Sequence, residues 1–345
     1  MTRLRVLADP TPVPGWLNDS QGRRLKYLRL SVTDRCDLKC HYCMPAEGVA
    51  ASPRNEILSI EELSRLVKVF QSLGVETVRI TGGEPLVRKG IVDLIHSIHH
   101  DLSIHDIALT TNATALQPLA LQLKTAGLRR LNISLDSLDA NTFSFLTRGG
   151  NLKRVLRGVD AALQAGFEEI KTNTVVIRGH NDHEIVSIVR WAWSKGITPR
   201  FIELMPIGYG AVFGQQRVVP SEELRIRLAQ ELNLEKSEMK TLGRGPANYL
   251  INPINPNQRV GFISAVTENF CEQCNRVRVT AKGDIRACLA SPDGLSLLPL
   301  LRSEADDIQI ANAVRTSLFG KDERHGFYVS GRDEHHDVHM SRVGG

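Results

Sequence analysis

The sequence predicts an α/β protein built on parallel strands. Three observations predict it: six short apolar or β-branched segments recur, helix-patterned stretches lie between them, and each apolar segment runs into a loop. The strand segments are 27–32, 77–81, 107–111, 131–135, 170–177 and 200–204. Ser59 and Glu62 have capping-box spacing ahead of Leu63, Leu66 and Val67, and Leu152, Val155, Leu156, Val159 and Leu163 mark one face of a later helix. Strand and helix thus alternate about six times, which packs as parallel crossovers in a doubly wound sheet or an incomplete barrel. In a barrel the chemistry sits at the C-terminal strand ends.

Residues 1–25 read as an irregular arm rich in Pro and Gly, and 26–220 carry the strand and helix alternation. Beyond Pro220 the pattern changes to a charged helical stretch (Ser221–Leu232), the Gly/Pro/Asn-rich run GRGPANYLINPINPNQ and a second group of cysteines, so 221–345 form a C-terminal domain. His335, His336 and His339 crowd the tail.

Length and composition bound the rest. With 345 residues and 42% hydrophobic content the chain can bury a large core. Its 43 Lys and Arg against 38 Asp and Glu give a net charge of +5, a mild excess. That weak charge and 5% aromatic content argue against single-strand nucleic-acid recognition, which leans on stacking. No apolar run reaches the length of a membrane span, and the start MTRLRVLADPTPVPGW lacks a signal core, so a cytoplasmic location is expected. All six cysteines fall in two groups of three, which in a reducing compartment points to metal or redox chemistry rather than disulfides.

Cys36, Cys40 and Cys43 have the spacing C-x3-C-x2-C and follow directly on the first strand. Three thiolates can hold three irons of a cubane and leave the fourth open to a second molecule, whereas structural zinc wants four ligands. The segment SVTDRCDLKCHYCMP resembles the radical S-adenosylmethionine superfamily, in which the open iron chelates the cofactor's amino and carboxylate groups. By that resemblance Tyr42 packs on the adenine, Gly83 in Thr81-Gly82-Gly83-Glu84-Pro85 meets the methionyl amino group, and Ser134 and Met205 make further cofactor contacts.

Cys271, Cys274 and Cys288, spaced C-x2-C-x13-C, form the second group, with no His or Cys nearby in sequence as an obvious fourth zinc ligand. Residues 270–289 and the ending MSRVGG resemble the GTP 3′,8-cyclase family of molybdenum-cofactor biosynthesis. The resemblance implies an incomplete (βα)6 TIM-like barrel with a C-terminal domain carrying the second cluster. It also implies two [4Fe-4S] clusters, S-adenosyl-L-methionine as cofactor and GTP as substrate between the clusters. An electron donor and the downstream cyclic pyranopterin monophosphate synthase follow as partners, with neither nucleic acid nor membrane, and a homodimer is left open.

A triphosphate needs cations, and Arg suits phosphate because its planar fork donates hydrogen bonds in pairs. Arg276 and Arg278 lie two apart on a strand-like segment, so both point to one face and Val277 and Val279 to the other. By the family match Arg29, Arg79, Thr110, Lys171, Arg276, Val277 and Arg278 contact substrate, with Arg200 a further candidate. Gly344 and Gly345 are expected to reach the active site, with Arg342 bringing another cation. One residue departs from the family pattern: Ala113 stands where Gly is usual, so a positive φ there would be strained.

Overall fold

The computed structural model describes residues 15–213, 215–237, 245–290, 294–325 and 339–344. Gly345, His335, His336 and the start of the N-terminal arm lie outside them. The six predicted strands form as β1 (Tyr27–Ser31), β2 (Thr77–Thr81), β3 (Asp106–Thr111), β4 (Arg130–Ser134), β5 (Glu169–Val176) and β6 (Thr198–Glu203). All run parallel in sequence order. Helices lie between consecutive strands: α1 (Ile60–Ser72), α2 (Ile91–His96), α3 (Ala120–Thr125), α4 (Ala140–Thr147), α5 (Leu152–Ala165) and α6 (Ile185–Ser194).

Local chemistry explains these elements. At α1 the Ser59 Oγ accepts the Glu62 N–H (3.1 Å) while the Glu62 carboxylate accepts the Ser59 N–H (2.7 Å), so the capping box closes as expected. Leu28, Leu30 and Val32 of the first strand segment are fully buried in the main core with Leu63, Leu66 and Val67 of α1. Arg29, on the opposite face, is left facing the inner side of the sheet.

After β6 come α7 (Tyr209–Val212), α8 (Ser221–Leu232) and five short strands, β7 (Glu235–Lys236), β8 (Asn248–Ile251), β9 (Arg259–Ile263), β10 (Arg276–Val279) and β11 (Ile285–Arg286). These join the same sheet, whose order is β11-β10-β1-β2-β3-β4-β5-β6-β9-β8-β7. β10 pairs parallel with β1, setting Arg278 beside Arg29, and β9 pairs parallel with β6, setting Phe262 beside Phe201. The C-terminal region therefore supplies both margins of one sheet.

Ala113, just past β3, has φ 61° and is fully buried. The left-handed conformation the sequence raised as a doubt is present, and Ala adopts it.

Candidate active site

The loop after β1 carries the first cysteine trio, and the segment after β2 packs flat on it. Gly83 N–H donates to the Thr33 carbonyl and Glu84 N–H to the Arg35 carbonyl, each at 2.8 Å. A Cβ on Gly83 would stand 2.3 Å from the Arg35 oxygen, so the two glycines permit backbone-to-backbone contact with the cysteine loop. Glu84 is buried and accepts from Leu86 N (2.9 Å), Asn112 N (2.7 Å) and Thr111 Oγ1 (2.7 Å). Burial pushes its carboxyl up to about 7 against those three donors. Tyr42 donates its hydroxyl to Asp136 Oδ2 at 2.6 Å, Val175 N–H binds Oδ1 at 2.9 Å, and burial pushes Asp136 up to about 6. Burial also pushes the thiols up, Cys36 to about 12 and Cys43 to about 11.

The second trio sits at the margin built by β10. Arg276 and Arg278 face inward, while Val277 and Val279 are buried in the main core. Lys321, two residues past a helix spanning Asp307–Phe319, is 3% exposed and donates Nζ to the carbonyls of Arg276 and Ala287. Burial raises the Cys274 thiol, but Arg276 and Lys321 overcome this and bring it down to about 7. The backbone of His325 hydrogen-bonds the Cys271 thiol.

One cavity of about 320 Å³ joins the two trios, and all six cysteines line it. Of the residues singled out in the sequence, Tyr42, Gly83, Ser134, Met205, Arg29, Arg79, Thr110, Arg200, Arg276 and Arg278 line it too. Two do not. Lys171 is buried and ion-paired to Glu169 at 2.7 Å, and the Val277 side chain lies in the core opposite Arg276 and Arg278. Arg342 is also turned away, donating to the Ala50 carbonyl at 3.1 Å.

Five arginines crowd one cavity. Burial and the neighbouring Arg278 and Arg79 hold Arg29 well below the usual guanidinium range; burial and Arg276 lower Arg278 to about 10. Burying several like charges together is costly unless an anion meets them. The tail supplies one partial answer, because the Gly344 carbonyl accepts from Arg29 Nη2 (3.1 Å) and Arg278 Nη1 (2.7 Å). Gly344 has φ +70°, and a Cβ there would come within 2.8 Å of Thr81 Cγ2, so the position favours glycine.

Each end of the cavity presents three thiols, the donor chemistry that a thiolate-held metal group takes. Within each trio the thiols lie close enough to act on one another electrostatically. Thr110 Oγ1, Asn173 Oδ1 and Arg200 Nε are buried at the cavity with no hydrogen-bond partner among the described residues, and a bound polar ligand would satisfy them. Sequence reasoning missed Lys321, His325, Asp136 and Asn173. Asp136 lies two residues past Ser134, in the segment NISLD, and could have been drawn from it, but Lys321 and His325 carried no spacing signal.

Residues 30–192 match the Radical SAM superfamily and residues 197–327 match Molybdenum Cofactor Synthesis C. A GTP 3′,8-cyclase of Desulforamulus reducens is 42% identical over 95% of this chain and 99% of its own length. One from Pseudomonas putida is 45% identical over 91% of this chain and 94% of its own length. Among solved structures, Streptococcus suis SuiB bound to precursor peptide SuiA superposes with a TM-score of 0.55 at 16% identity. That match covers 82% of this chain and spans 66% of SuiB, and it speaks for the fold alone.

Proposed function

This chain belongs to the GTP 3′,8-cyclase family, and on that premise we propose that it is a radical S-adenosylmethionine enzyme that converts GTP to (8S)-3′,8-cyclo-7,8-dihydroguanosine 5′-triphosphate, the first step of molybdenum-cofactor biosynthesis. The observation that carries the reading is the single cavity lined at one end by Cys36, Cys40 and Cys43, at the other by Cys271, Cys274 and Cys288, with arginines between. On this reading residues 26–220 form an incomplete barrel, 221–345 close its open side, and each trio holds a [4Fe-4S] cluster. When bound, the first cluster and S-adenosylmethionine supply a 5′-deoxyadenosyl radical that takes the 3′ hydrogen of the ribose.

The chain's own residues bind and orient. Arg29, Arg276 and Arg278 offer paired donors to the triphosphate, and Thr110, Asn173 and Arg200 offer the buried polar atoms that lack partners among the described residues. Gly344, by holding Arg29 and Arg278 through its carbonyl, fixes the direction of both forks beside the substrate. At the other end Tyr42 is held by Asp136 for the adenine, and Glu84 ties the β2 and β3 loops together beneath the cofactor. The reading sets the enzyme in the cytoplasm, fed by an electron donor, with its product passed to the cyclic pyranopterin monophosphate synthase.

The test is anaerobic. Iron and sulfide analysis of the reconstituted protein should give about eight irons per chain for two cubanes, and mass spectrometry should find the cyclic triphosphate from GTP under reducing conditions. Zinc without iron, or iron with no cyclic product, overturns the reading.

A further inference from the structure

Outside the cavity, four rings from four separate segments meet on the surface beside the first cysteine trio. His41, lying between Cys40 and Cys43 in the chain, stacks on Phe145 of α4 at 4.7 Å and 21°. Phe145 stacks in turn on His180, from the loop after β5, at 5.2 Å and 19°. Phe213, at the end of α7, stands 5.7 Å from both histidine rings. A core cluster would hide its rings, yet Phe145 is 48% exposed and the adjoining Val212 64% exposed. One exposed ring backed by three half-buried ones, beside an exposed valine, is the composition of a docking surface rather than of a solvated loop.

The rim is cationic. Lys39 is exposed, Arg148 braces the cysteine loop by donating to the Lys39 and Met44 carbonyls, and Arg217 lies over the Phe213 ring at 4.5 Å. Among the described residues the carboxylates nearby include Glu47, Asp182 and Glu223; Asp182 is engaged with the Gly179 N–H at 2.8 Å, and Glu223 is ion-paired at 2.6 Å to Arg178, whose backbone N–H donates to the Arg217 carbonyl. With a whole-chain charge of +5, a second copy of this chain would meet like charge here, while an acidic protein would be drawn in.

We infer that this face is where an acidic one-electron carrier protein docks to feed the first cysteine trio. The inference rests on the radical reading above. His41 is bonded directly to Cys40, and adjacent Cα atoms are about 3.8 Å apart, so a carrier seated on the rings stands one residue from a thiolate that holds the acceptor. The electron balance is simple. The reduced carrier loses one electron, and the sulfonium of bound S-adenosylmethionine gains it as its C5′–S bond breaks, leaving methionine and a 5′-deoxyadenosyl radical.

The test uses the anaerobically reconstituted full chain with reduced flavodoxin, an acidic one-electron carrier, as the probe. Val212→Glu combined with Arg217→Glu reverses charge on the patch, and neither side chain lines the cavity. Release of 5′-deoxyadenosine is followed with flavodoxin and, separately, with dithionite, and flavodoxin binding is measured by calorimetry at low and high salt. The double variant should raise the KM for flavodoxin about tenfold and weaken its binding in parallel, while dithionite-driven release stays at the parent rate; Arg217→Lys should behave as the parent. Equal KM and equal flavodoxin affinity in parent and double variant overturn the inference. Because neither readout needs GTP to be converted, a chain that fails to cyclise GTP sinks the proposed function and still leaves this test decided by the binding arm.

Discussion

The two ends of the cavity carry the same donor set, three cysteine thiols, in opposite electrostatic surroundings. Around the first trio the neighbours are carboxyls: burial is the largest influence on Cys36, and Glu84 and Asp37 push its thiol further up. Around the second trio the neighbours are cations, and Arg276 with Lys321 brings Cys274 down to about 7 in spite of burial. Thiol spacing by itself speaks only for a metal-binding donor set. The surroundings say what each end faces besides metal: an end lined by carboxyls suits a cofactor bearing ammonium and sulfonium charge, and an end lined by guanidinium groups suits a polyphosphate.

The sharpest way to break this contrast is to remove one thiol from each end. Cys36→Ala should reduce 5′-deoxyadenosine release by at least about a thousandfold, since a cluster deprived of one of three protein ligands no longer holds the cofactor. About four irons should remain, because the second trio stands at the other end of the cavity. Cys274→Ala should give the converse, with 5′-deoxyadenosine still formed without substrate and GTP binding lost. Chromatography for the nucleoside, iron analysis and calorimetry check the pair, and loss of all iron in either variant would show the two ends to be interdependent.

The same contrast explains what could be read in advance. The six parallel strands were legible because each is a short apolar or β-branched segment set between helical patterns, and the shared face of Arg276 and Arg278, though not which way it turns, followed from strand period. The first trio was legible because eight consecutive positions hold all its ligands on one loop. Less of the second end could be read. β9 and β10 join opposite margins of the sheet, a pairing across more than two hundred residues for β10 and β1, and such contacts leave no local pattern. Lys321 matters through burial against two carbonyls, which one sequence does not encode. The partner of Lys171 was not read either: Glu169, two residues earlier on the same strand face, offers it a carboxylate at 2.7 Å.

The next largest effect belongs to the cationic end. Arg276→Ala and Arg278→Ala should each weaken GTP binding about ten- to a hundredfold, the loss of a charged hydrogen-bonded contact worth about 1.5 to 3 kcal/mol. Cofactor cleavage without GTP should stay near the parent rate. The two variants should not be additive, because Arg278 also shares the Gly344 carbonyl with Arg29, so removing it loosens a second fork. Calorimetric titration of GTP into the parent, both single variants and the double variant measures this, and unchanged affinity in the double variant would detach the arginines from the substrate.

The smallest effect is expected at Ala113→Gly, on the carboxyl-lined side, where three terms nearly cancel. Ala in the left-handed region costs about 1 to 2 kcal/mol, which Gly would relieve. Against that, Gly widens the unfolded ensemble, costing about 0.4 to 1 kcal/mol, and deletes a fully buried methyl worth about 0.8 kcal/mol. The methyl is well housed, since Gly158 of α5 leaves it room: a Cβ on Gly158 would stand 3.3 Å from the Ala113 Cβ and 2.4 Å from its carbonyl oxygen. The backbone network is indifferent to the change, because Ala113 N–H donates to Thr111 Oγ1, and that hydroxyl donates to Glu84, in either variant. The melting temperature should therefore move by less than about 2 °C and 5′-deoxyadenosine release should be unaltered. A gain of about 5 °C or more in a thermal melt would mean that the strain at φ 61° is far larger than the left-handed region normally imposes, and that the carboxyl-lined end holds more stored strain than its hydrogen bonds suggest.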